Sequence, residues 1–153
     1  MLEFLKKRFG RGDGPFEKQP AGAYMLSEMD KQAAELIFRA VSAQLAEANY
    51  PRFATLGRHR PTVLGYTAAL AEDMATRMGP AEAEERYLAL ALAALHKLTG
   101  DSASALSLID ECNELGGRQD ADYARGGTAG RDDLYAIASR TNPQRLSECL
   151  RAP

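Results

Sequence analysis

Apolar positions recur at intervals of three and four along most of the chain, and the interruptions fall at Gly and Pro. The first strong run is Met29, Ala33, Leu36, Ile37, Ala40, Val41, Leu45 and Ala48, which predicts a helix. Ser27 suits its N-cap, Asp30 suits the positive end of its dipole, and Pro51 forbids continuation. A second helix opens at Pro61 with Val63, Leu64, Tyr66, Leu70, Met74 and Met78 as its row, and stops at Gly79-Pro80. The third runs from Glu82 to Lys97 before Gly100. With leucines at 88, 90, 92, 95 and 98 and alanines between, it is apolar nearly all round and belongs at the centre. A fourth, capped by Asp101 or Ser102, carries Ala105, Leu106, Leu108, Ile109, Cys112 and Leu115 to Gly116-Gly117.

From Gly116 to Arg131 the composition turns to Gly, Asp and Arg, which predicts a long exposed loop. Two short helices then close the chain, Asp132–Arg140 and Pro143–Leu150, the second capped by Asn142. The expected fold is all-α: a compact antiparallel bundle or helical-hairpin array of four main and two short C-terminal helices, one domain over residues 27–153. Residues 1–26, with a Gly/Pro-rich stretch from Gly10 to Gly22, are expected to form a mobile N-terminal arm.

Composition agrees with this fold class. Among 153 residues there are 27 Ala and 19 Leu but only 3 Ile and 2 Val, a balance that favours helix over strand. Nineteen basic and 21 acidic side chains leave a net charge of −2, without the cationic excess that phosphate-backbone binding needs, so nucleic acid is disfavoured as a partner. The charge is unevenly spread: residues 1–77 hold 11 basic and 9 acidic groups, residues 78–153 hold 8 and 12. No run approaches the roughly 20 apolar residues of a membrane span, and Met1–Gly10 has no secretory apolar core, so the chain reads as cytoplasmic. Cys112 and Cys149 are far apart and outside any C-x-x-C; they read as buried reduced thiols, the alternative being one disulfide pinning the last helix to an earlier one.

Residues 89–117, ALALAALHKLTGDSASALSLIDECNELGG, resemble the tetratricopeptide helix-turn-helix. Leu92 and Ala93 stand at its Leu-Gly pair, Gly100-Asp101 at its turn, and Ala105, Ile109 and Cys112 at its packing positions. His96 replaces the usual Tyr and Gly117 the usual Pro, and one period earlier Arg58, His59 and Thr62 stand where Leu, Gly and Tyr belong. The resemblance covers under a fifth of the chain. It implies a helical hairpin of the kind that stacks to bind proteins; an ordinary hairpin converges on the same turn and small residues.

Complete catalytic or metal-binding constellations are missing from the sequence. Neither His59 nor His96 follows a Glu by three residues, and Arg125 and Arg131 occupy the Gly and Glu positions of the calcium loop that Asp120 and Asp122 would begin. Gly10-Arg11-Gly12-Asp13-Gly14 lacks the strand and the Gly-Lys-Ser/Thr of a phosphate loop. No cofactor is implied. The leading expectation is a non-enzymatic protein-interaction or adaptor module with a groove between helices two to four, edged by Tyr66, Tyr87 and His96, and open to self-association.

Two further readings stand beside it. Arg58, His59 and Arg60, with Arg52 nearby, form a basic connection whose arginines and first-turn amides could hold the phosphate or carboxylate of a small ligand or substrate. Alternatively, Leu2, Leu5 and Phe9 share one face of an amphipathic N-terminal segment while Lys6 and Lys7 offer cations to anionic lipid.

Overall fold

The structure, a computed structural model, describes residues 26–152, and all of its regular elements are helical. The expected arm, and with it the lipid-facing candidates Leu2, Leu5, Lys6, Lys7 and Phe9, lies outside the described residues except for Leu26. Six α-helices are described: α1 (Glu28–Glu47), α2 (Arg60–Met78), α3 (Ala83–Thr99), α4 (Ser102–Gly117), α5 (Ala121–Ala138) and α6 (Arg145–Arg151). Two 3₁₀ turns, Phe53–Thr55 and Gly57–His59, join α1 to α2, and a third, Pro80–Glu82, leads into α3. No described helix is long and apolar enough to cross a membrane.

The boundaries written in local chemistry form as that chemistry requires. Ser27 and Asp30 make a reciprocal capping box, with Asp30 N–H donating to Ser27 Oγ at 3.1 Å and Ser27 N–H to Asp30 Oδ2 at 3.2 Å. Asp101 accepts the amides of Ala103 and Ser104 at the start of α4. Gly100 ends α3 at φ +80°, a conformation that side chains with a Cβ rarely adopt. α3 and α4 therefore pack as a hairpin across a two-residue turn.

The stretch expected to be an exposed loop is instead the first half of α5. Asp120 caps it, accepting the amide of Tyr123, and the helix continues without a break into the segment expected to begin at Asp132. Gly126, Gly127 and Gly130 are buried in its interior. α5 lies directly against α2, so closely that a Cβ on Gly126 would collide with the Thr62 carbonyl and one on Gly65 with the Tyr123 carbonyl. A Cβ on Gly130 would come within 2.8 Å of the Tyr66 carbonyl oxygen. Each glycine weakens an isolated helix by about 1 kcal/mol relative to alanine; at Gly65, Gly126 and Gly130 the loss is offset by close backbone packing that a Cβ would disrupt, whereas at Gly127 a Cβ would meet nothing nearer than 3.5 Å.

Coverage by α5 also changes which helix is most enclosed. With α3 on one side and α5 on another, every residue of α2 from Thr62 to Ala71 is buried. α3 is central as expected, buried from Leu88 to Leu95, but it shares that position with α2. α6 begins two residues later than expected, and Asn142 does not cap it. The acceptor comes from α5: Asp133 receives the amides of Gln144 at 3.4 Å and Arg145 at 3.0 Å.

Candidate functional site

The residues singled out in the sequence go to three different environments. Tyr66, expected at an exposed edge, is completely buried. Its hydroxyl donates to Asp133 Oδ2 at 2.8 Å and accepts from Gln44 Nε2 at 2.8 Å, while Gln44 Oε1 accepts the Ser147 amide at 2.9 Å. One polar network thus joins α1, α2, α5 and α6 through the core. Burial, reinforced by the neighbouring Asp133 carboxylate, pushes the phenol well above its ordinary range, so Tyr66 stays protonated and holds the structure rather than a partner.

Tyr87 is half-buried beside Cys112, and His96 is half-buried at the α3–α4 turn with Nδ1 2.9 Å from Ser102 Oγ. Tyr66, Tyr87 and His96 form no common groove. Both cysteines are free thiols; Cys112 is buried, which pushes its pKa up to about 12.

The basic connection is divided by its 3₁₀ turns. His59 is turned inward, edge-on to Tyr50 with ring centroids 5.2 Å apart. Burial, then the charges of Arg58 and Arg125, hold its pKa below 6.5, so the ring is neutral at pH 7 and supplies no cation to an anion site. Arg58 points away and is exposed. Arg60 donates through Nε and Nη2 to Glu111 at 3.1 and 2.5 Å. Arg52 and Arg60 remain together on the wall of a cavity of about 660 Å³, where Lys97 of α3 joins them; Arg58 and His59 lie outside that lining. Lys97 was not singled out because the residues that bring it there, at the far end of α3, are distant in sequence.

A different concavity carries the exposed apolar side chains. Met29 is 61% and Tyr135 82% exposed, the two large hydrophobic residues left exposed among those described. Both line one groove of about 600 Å³ between α1, α2 and α5, above Leu36, Met74, Met78 and Leu134. Asp73, Arg77 and Arg131 supply its charged margin. The sequence puts Met74 and Met78 in the buried row of α2, where Met74 is buried and Met78 partly so, whereas Met29, assigned to the apolar face of α1, is exposed. It could not open a groove among them, because the third wall belongs to α5. Gln44 and Asp133 were also missed; a polar residue between Val41 and Leu45 on the apolar face of α1 is the signal that marks Gln44.

Among the described residues no three His, Cys, Asp or Glu side chains gather in a metal-binding cluster. Comparison with protein families, with curated proteins and with solved structures finds no match to this chain.

Proposed function

We propose that the protein is a helical interaction module that receives the apolar face of a partner's amphipathic helix in the groove between α1, α2 and α5. The observation supporting this reading is that the two strongly exposed large apolar residues among those described, Met29 and Tyr135, fall on the same groove. Isolated apolar side chains at a surface need no explanation, whereas two converging over a further apolar floor mark a contact surface. Its composition fits a partner helix. Met29, Met74 and Met78 have unbranched side chains that conform to varied apolar shapes, and Tyr135 offers a broad ring with a polar tip.

The test uses the full chain carrying ¹³C-methyl methionine. Helical peptides selected by display against the protein are titrated into it. Three of its five methionines lie in the groove, and their methyl signals should move on binding while those of Met1 and Met25 report the remainder of the chain. Met29→Glu and Tyr135→Ala should each weaken the selected peptides by about tenfold or more, as expected for central anchors. Peptides that bind while leaving the three groove methyls and both substitutions without effect would sink the reading. Concentration-dependent dimerisation abolished by Tyr135→Ala would replace the partner helix with a second copy of this chain.

A further inference from the structure

The cavity walled by α1, α3, α4 and the chain around Pro51–Ala54 is separate from the methionine-lined groove. We propose that it binds a small monocarboxylate with an apolar body, such as an arylalkanoic acid. Three cationic side chains line it, Arg52, Arg60 and Lys97, and no Asp or Glu does, although the chain as a whole has a net charge of −2. An indifferent stretch of this surface would mix the two signs.

Hydrogen bonding decides how much of that charge is available. Arg60 is held from outside the lining by Glu111, and Lys97 by Glu35. Neither cation is exhausted: Arg60 retains its second Nη group, and an ammonium with three protons uses one on Glu35. The two carboxylates fix the directions of these donors, Glu35 being shared with Arg39. Arg52 has no ion-pair partner among the described residues. Arg52 is thus the lining cation left without a carboxylate, and its planar fork matches the two oxygens of one.

The remainder of the wall specifies what the carboxylate is attached to. Phe38, Phe53, Leu98 and Leu108 supply apolar surface. Each aromatic ring already carries a cation, Lys97 Nζ 5.6 Å from the Phe38 centroid and the Arg60 guanidinium 5.9 Å from that of Phe53. The positive groups therefore lie against the aromatic walls, and an apolar body resting there places its acid end among them. A cavity of about 660 Å³ falls within the range of roughly 300–1,000 Å³ usual for small-molecule sites.

The experiment titrates the full chain with 3-phenylpropionate, its uncharged amide and inorganic phosphate, by calorimetry and by thermal unfolding. The acid should bind saturably and raise Tm, and the amide should bind about tenfold or more weakly, because a charge-assisted pair is replaced by a neutral one. Arg52→Gln should weaken the acid by about tenfold or more yet leave the Tm of the ligand-free protein unchanged, since the side chain is exposed and has no ion-pair partner among the described residues. Arg145→Gln, an exposed cation of α6 outside the lining, should leave the affinity unchanged. Equal binding of acid and amide, an Arg52→Gln protein that binds normally, phosphate binding tighter than the acid, or no binding of any probe each overturns the proposal.

Discussion

Tyr66 and Asp133, 67 residues apart, meet in the core through a 2.8 Å hydrogen bond, and the same carboxylate caps α6. Asp133→Ala removes an acceptor from the buried Tyr66 hydroxyl and from the two part-buried amides that open α6. It should destabilise the protein by about 3 kcal/mol, and Tyr66→Phe, which removes the donor to Asp133 and the acceptor of Gln44 but leaves the helix cap, by about 1–2 kcal/mol. Urea unfolding followed by circular dichroism ranks the two, and a Tyr66→Phe loss equal to or larger than that of Asp133→Ala contradicts the role given to the carboxylate.

Alanine at two glycines should have opposite consequences. At Gly126 the added methyl meets the Thr62 carbonyl, so α2 and α5 must separate, and a loss of about 3 kcal/mol is expected despite the better helix propensity. At Gly117, in the last turn of α4, a Cβ meets nothing within 4 Å, and alanine should be neutral or stabilising by up to about 1 kcal/mol. Comparable unfolding midpoints for the two variants would contradict the close α2–α5 contact.

These glycines also mark where sequence reading stops. Ser27, Asp101, Gly100 and Pro61 act within a few residues of themselves, and the helix ends they specify are visible in the chain. Gly126, Gly127 and Gly130 have the opposite meaning in α5 from the one they have in a loop. The difference lies in the backbone of α2, some 60 residues earlier. The cap of α6 is equally remote, because Asp133 supplies what Asn142 was expected to give. Arg52 and Arg60 were recognisable as a basic pair, but their union with Lys97 depends on how the end of α3 packs. Local signals set the elements; contacts between elements decide which of them line a cavity.

His59 should make stability depend on pH in a defined direction. Burial lowers its folded pKa below the ordinary 6.5. As the pH falls below that value, the unfolded chain takes up a proton that the folded chain does not, and stability declines until the folded pKa is passed. Between about pH 7.5 and about pH 5.5 the wild type should lose more stability than His59→Gln. Denaturant unfolding of both at the two pH values measures the difference, and parallel losses exclude His59 as its source.

The thiols should react in two phases. Cys149 is half-buried, whereas Cys112 is buried and its thiol is pushed up to about 12. A disulfide reagent should modify Cys149 first and Cys112 only at the rate of local opening, and Cys149→Ser should remove the fast phase alone. Titration under denaturing, non-reducing conditions should count two thiols; fewer would mean that the cysteines are paired.

The meeting of α2 and α5 through bare backbone bears on how the molecule can move. Interdigitated leucines can exchange rotamers and let one helix slide on another, but carbonyls seated against glycines resist a change of register: displacement by one residue brings Arg125 to the place of Gly126 in one direction and Arg131 to that of Gly130 in the other. The pair is a fixed spine. An occupant of the proposed α1–α2–α5 groove would therefore be accommodated by α1 and by rotation of the Met29 and Tyr135 side chains rather than by separation of α2 from α5.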